Sequence, residues 1–80
     1  MHVLELDATV RRVVADALRV PPARLTPDSD LDELGLDDAS ALGVLVGVED
    51  ALDMRFPDDF LLGVRTYGEL TRAVRMAVGG

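Results

Sequence analysis

The 80-residue chain contains no cysteine and no tryptophan, and its only histidine is His2. Without cysteine there is no disulfide framework and no thiolate metal site. Without a Ser–His or Cys–His pair in reach of one another, nucleophilic catalysis has no activated group to use. A lone His2 beside the chain start offers neither a metal site nor an acid–base centre, and the many carboxylates read as loop and cap residues. These absences exclude an enzyme. Aromatic residues are limited to Phe56, Phe60 and Tyr67, so the core must be built from Leu, Val and Ala. The longest uncharged run, Ala39 to Val48, is far too short to span a membrane. No basic, then apolar, leader opens the chain, and a reducing cytoplasm is the expected location.

Positive charge is the scarcest commodity in the middle of the chain. Between Asp28 and Asp59 there are eleven Asp and Glu residues against Arg55 alone, within a total net charge of −7. Such a surface repels phosphates, which argues against nucleic acid as a ligand and favours basic protein surfaces as partners. Asp28, Asp30 and Asp32 imitate the opening of an EF-hand loop. The sixth position, however, is Glu33 instead of glycine and the twelfth is Ala39 instead of glutamate, so no calcium or other metal site is expected.

What is present is helical periodicity. Leu6, Val10, Val13, Val14, Ala17 and Leu18 recur as one apolar stripe, and Pro21-Pro22 closes the segment. Residues 20–36 form a long connection in which Val20, Leu25, Leu31, Leu34 and Leu36 are spaced as apolar anchors. A second helix is expected from about Asp38 to Asp53, capped by Asp37 or Asp38. On its wheel, Leu42, Leu45, Val48 and Leu52 share the core side. Ser40, Gly43, Val46, Gly47 and Asp50 share the outer side, which is unusually small and apolar for a solvent face. "FPDDFLLG" leaves room for one short helix, with Asp58 as cap and Phe60, Leu61 and Leu62 inward. Thr66 and Glu69 in "TYGE" make a capping box for a last helix ending before Gly79-Gly80. No strand pattern occurs. Eighty residues support one domain, spanning 1–80: an all-α bundle of three longer helices and one short helix, with a long first loop.

In this order and spacing, "VRRVVADALRV", "DSDLDELGLDD", "VEDALDMRFPDD" and "TYGELTRAV" resemble the acyl carrier protein family, including carrier domains of fatty-acid, polyketide and nonribosomal-peptide systems. The resemblance runs from about Leu6 to Val78 and implies an acyl-carrier-like four-helix bundle. In that family, Gly-x-Asp-Ser-Leu opens the second helix, and the serine carries a 4′-phosphopantetheine arm. Aligned without gaps, Gly35 and Asp37 match, but Asp38 occupies the serine position and Ala39 follows it. Since the transferase needs an alcohol oxygen, the cofactor expected here is none.

Two frames remain open. In the first, Asp38 either caps the helix or imitates the phosphate of a loaded carrier, and the domain acts through contacts made by Asp37, Asp38, Gly43, Val46, Gly47, Glu49 and Asp50. Gly43 and Gly47 either leave a groove for a partner backbone, self-association included, or reflect drift. The expected partners are biosynthetic enzymes with basic or apolar patches. In the second, the chain is a working carrier whose arm sits on Ser40, or whose native serine has been replaced by Asp38. Moving the frame to Ser40 places Asp50 where Val48 is buried, which is costly without a partner. A third reading makes the chain a small metal- or peptide-binding helical module that shares only the carrier architecture.

Overall fold

The computed structural model describes residues 3–79, and the readings attached to His2 and Gly80 fall outside them. The described residues form three α-helices: α1 from Val3 to Leu18, α2 from Asp38 to Leu52 and α3 from Tyr67 to Gly79. Among the described residues there is no strand, and Asp30 and Thr66 form a single isolated bridge.

Helix α1 buries Leu6, Val10, Val14 and Leu18 of the anticipated stripe, together with Ala15, which lay outside it, while Val13 and Ala17 are half-buried. It stops in a left-handed turn at Arg19 (φ 58°). There the Val20 N–H donates to the Ala15 carbonyl and the Arg19 N–H to that of Asp16, which satisfies carbonyls left over by the helix. Helix α2 ends the same way. Asp53 takes φ 53°, and the Met54 N–H donates to the Glu49 carbonyl at 3.0 Å. Helix α3 buries Tyr67, Leu70, Thr71 and Val74 and packs on α1.

The long first loop is packed. Leu25 and Leu31 are each 2% exposed, while Val20, Leu34 and Leu36 lie half-buried against the core. Arg11 donates from Nη1 to the Pro22 and Leu25 carbonyls, and its guanidinium lies 5.3 Å from the centre of the Tyr67 ring. Further on, the Leu31 N–H donates to the Arg65 carbonyl, Tyr67 N–H to that of Ser29 and Gly68 N–H to that of Pro27. These three bonds tie the loop to the start of α3.

The expected fourth helix is corrected. Pro22–Arg24 form one 3-10 turn, and residues 58–63 form successive turns without a helix. Phe60 N–H donates to Pro57, Leu62 N–H to Asp59 and Val64 N–H to Leu61, all three-residue spacings. Between Pro57 and Gly63, whose φ is 85°, the stretch is too short to offset the cost of nucleating an α-helix. Phe60 and Leu61 do turn toward the core, and Phe60 stacks on Phe56 with centroids 4.4 Å apart. Leu62 does not turn inward: it is 83% exposed.

The rotation of α2 is the second correction. Leu45 and Val48 are buried as expected, but so is Val44, and Leu42 is 60% exposed. A Cβ added to Gly47 would lie 2.7 Å from Val13 Cγ1 of α1, and one on Gly43 would lie 3.9 Å from Ala17 Cβ. The two glycines therefore face α1, and the close approach at Gly47 is made by the Val13 side chain.

The two glycines should respond oppositely to alanine. Gly43→Ala adds an ordinary contact and gains helix propensity of about 1 kcal/mol, so stability rises. Gly47→Ala forces Val13 aside, an overpacking cost of roughly 1–3 kcal/mol, and stability falls. Denaturant unfolding of both variants measures the contrast.

Candidate functional site

The start of α2 is organised by a reciprocal pair. Asp37 is the N-cap, with extended φ/ψ of −133° and −175°. Its Oδ1 accepts the Ser40 N–H at 2.8 Å, and the Asp37 N–H in turn donates to Ser40 Oγ at 2.8 Å. The Ser40 hydroxyl also reaches Asp37 Oδ1 at 2.9 Å. This is a capping box in which serine takes the role usually given to Glu or Gln. Accepting these hydrogen bonds, led by that from the Ser40 backbone, holds the Asp37 carboxyl below the ordinary carboxylate range.

Asp38 is the first residue of the helix and its side chain is exposed. The cap is therefore Asp37, and the expectation that Asp38 caps the helix is corrected. A carboxylate in the first turn still interacts favourably with the helix dipole. Ser40, by contrast, is half-buried and its oxygen is engaged on both sides. The serine contribution to capping was not anticipated from sequence. The usual box has Glu or Gln at that position, so "DDAS" carries no such signal.

The remaining anticipated contact residues separate in space. Val46 is 53% exposed and Asp50 is also exposed. Both line a shallow depression with Glu49, Asp53, Met54 and Arg55. Glu49 is turned partly to structural use, since its Oε2 accepts the Phe56 N–H at 2.7 Å and pins the segment leaving α2. Gly43 is exposed but lies over Ala17, and Gly47 packs on Val13. Of the anticipated surface, Asp37, Asp38, Val46 and Asp50 remain outward.

A larger feature was missed. On the other flank of α2 lies an open cleft of about 610 Å³. Its apolar lining is Leu36, then Ala41, Leu42 and Leu45 of α2, and Leu61, Leu62 and Val64 from the segment after Pro57. Asp32, Asp37, Asp38, Asp58 and Asp59 also line it. The signal available in sequence was the pairing of two uncharged leucine-bearing stretches with aspartates before each.

The acidic first loop is accounted for locally. Asp30 Oδ1 accepts the N–H groups of Asp32 and Glu33, so it builds a turn. No set of three or more His, Cys, Asp or Glu side chains among the described residues is arranged to hold a metal ion. No helix among them is long and apolar enough to cross a membrane. At α3, the Thr66–Glu69 capping box forms as anticipated. Glu69 N–H donates to Thr66 Oγ1 at 3.1 Å, while Glu69 Oε1 accepts the Thr66 and Arg65 N–H groups. Those backbone bonds lower the Glu69 carboxyl as well.

Residues 8–74 match the family model described as "Phosphopantetheine attachment site". The chain is 28% identical over 72 residues to the meromycolate extension acyl carrier protein of Mycobacterium leprae, covering 89% of this chain and 63% of that one. It is 31% identical over 65 residues to the conidial yellow pigment biosynthesis polyketide synthase of Emericella nidulans, covering 81% of this chain and 3% of the synthase. A free-standing peptidyl carrier protein from Acinetobacter baumannii superposes with a TM-score of 0.77 at 26% identity, covering 95% of each chain. The chain belongs to the phosphopantetheine carrier-domain family. It spans 63% of the length of the Mycobacterium leprae relative.

Because the folded-state carboxyls of Asp37 and Glu69 are lowered, the stability they contribute is complete above their unfolded values. It is lost as pH falls through the lower folded values. Acid titration of stability should therefore show a decline that begins below about pH 5. Asp37→Asn, which can still cap, should flatten the part of that decline that belongs to α2. Circular dichroism during chemical unfolding at several pH values reads both slopes.

Proposed function

We propose that this carrier-family domain serves a polyketide, fatty-acid or nonribosomal-peptide type of pathway without bearing a phosphopantetheine arm. It has no catalytic role and works by touching its partner enzymes. The single observation carrying this reading is the start of α2, where the exposed first residue is Asp38 and the nearby hydroxyl of Ser40 is held in the Asp37 capping box.

Taken on its own residues, this site does not fit the family's prosthetic group. A stable phosphodiester needs an alcohol oxygen. Asp38 offers a carboxylate, which would give a mixed anhydride that water cleaves. Ser40 has an alcohol, but using it would break the capping box at the helix start, and Ser40 is half-buried. Thus the alternatives in which Ser40 holds the arm have less geometric support than the unarmed reading. Where a native serine has been replaced by Asp38, the same carboxylate chemistry holds for the chain as it stands.

What supports the pathway class is the company of relatives named for meromycolate extension and pigment polyketide synthesis. The partners suited to the surface are enzymes with basic or apolar patches, meeting Asp37, Asp38, Val46 and Asp50. The acidic middle of the chain makes nucleic acid an unsuitable ligand. A cytoplasmic setting accords with a chain that lacks cysteine.

Incubation with coenzyme A and a broad-specificity phosphopantetheinyl transferase, followed by intact mass measurement, tests the proposal. The unaltered protein should keep its mass, and Asp38→Ser should gain one arm, because an exposed hydroxyl then stands at the first helical position. A stable adduct on the unaltered protein, mapped to Ser40, would overturn it.

A further inference from the structure

We propose that the outer face of α3 is a second contact surface, fitted to an acidic segment of a partner protein. Carboxylates of that segment would meet Arg72 and Arg75, and an apolar side chain between them would meet Met76. This goes beyond the contacts attributed to α2 and does not depend on whether an arm is carried.

The first argument is where the positive charge of an acidic protein collects. The chain has a net charge of −7, yet outside residues 28–59 it holds seven arginines against four acids. Arg65, Arg72 and Arg75 lie on or just before α3, and all three are exposed. The helix buries Tyr67, Leu70, Thr71 and Val74. Arg72, Arg75, Met76 and Gly79, spaced three and four apart, are exposed and share the opposite stripe.

The second argument is that the fold leaves these arginines without a strong partner. Glu69 is the one acid of α3, and it stands three residues before Arg72, a spacing that lets glutamate pair with arginine on a helix. Its carboxylate is turned instead to the helix start, where Oε1 accepts the N–H groups of Arg65 and Thr66. Among the described residues the sole ion pair joins Arg75 Nε to Asp7 Oδ1 of α1 at 3.8 Å. That separation is too long for a hydrogen bond, and with both side chains partly exposed the pair is weak.

Met76 selects the kind of occupant. It is 68% exposed beside two guanidinium groups, and Met and Arg are both residues that contact surfaces favour. Its unbranched thioether adapts to whatever apolar group it meets. A small oxyanion would use the arginines and leave Met76 in water, whereas an acidic segment carrying one apolar side chain covers all three. At physiological salt the screening length is about 8 Å, so the acidic α2 side does not cancel this local field. A second copy offering its own acidic face would join head to tail, a contact that adds further copies without closing unless the rotation makes a ring. Helices α2 and α3 each pack on α1 and not on one another, so a segment on α3 leaves the start of α2 uncovered.

The test is a nuclear magnetic resonance titration of the whole chain with a synthetic helical peptide that bears glutamates on either side of one leucine. The expected result is shifts centred on residues 69–79, with affinity falling as salt is raised. Arg72→Glu should weaken binding by roughly tenfold and Met76→Gln by roughly threefold. Arg24→Glu, an equal change of net charge at an exposed arginine outside α3, should change affinity by less than about twofold. All three alter exposed side chains, so the fold should persist, as circular dichroism would verify.

Equal binding of a peptide with Gln in place of Glu would overturn the proposal, as would shifts centred elsewhere or no binding at all. Inorganic phosphate producing the same shifts at the same affinity would assign the face to a small anion instead. Salt-sensitive self-association of the chain alone, abolished by Arg72→Glu in sedimentation, would assign it to a second copy, and either result would overturn the proposal too. The transferase experiment does not involve Arg72 or Met76, so a failed titration removes this proposal and leaves the unarmed reading standing.

Discussion

At the start of α2, Asp37 and Ser40 each satisfy the other's backbone N–H. The four leading N–H groups of a helix need partners, and two short polar side chains settle part of that need here. The same pair decides the chemistry of the neighbourhood. It draws the Ser40 hydroxyl into a structural role and leaves Asp38, one residue into the helix, facing solvent. A carboxylate is then the exposed group at the first position of the helix.

Around that point the rest of the molecule is arranged conservatively. Helix α1 lies close against α2 because Gly47 has no side chain to hold Val13 away. The loop of residues 20–36 is fastened to the start of α3 by three backbone bonds, and to α1 by Arg11. Glu49, an acidic residue of α2, reaches down to the Phe56 N–H and so fixes where the chain leaves the helix. Acidic residues of this domain thus divide into two kinds. Asp30, Asp37, Glu49 and Glu69 accept backbone hydrogen bonds, while Asp38, Asp50, Asp58 and Asp59 are exposed.

Much of this could be read from the sequence, and the failures have physical causes. The stripe of α1, the span of α2, the anchors Leu25 and Leu31 and the Thr66–Glu69 box all follow from periodicity and capping rules. The rotation of α2 was misjudged because residues 39–48 carry no charge, so the wheel has no strongly polar side to orient it. Small residues there could mean either a solvent face or a close helix contact. Only the proximity of Val13 to Gly47 distinguishes the two. The expected short helix failed because apolar residues after Pro57 suggest burial without saying which ones achieve it. Phe60 stacks on Phe56, and Leu62 is left outside. The cleft was missed for a related reason: fifteen residues separate Leu45 from Leu61, and neither stretch is distinctive alone.

The central claim is that Asp37 and Ser40 act as one unit. A double-mutant cycle with Asp37→Ala, Ser40→Ala and the pair, followed by chemical unfolding, measures this directly. If the two side chains support each other, the double variant loses less stability than the two single losses added together. Strictly additive losses would mean that the Ser40 hydroxyl is free, and the account of this helix start would be wrong.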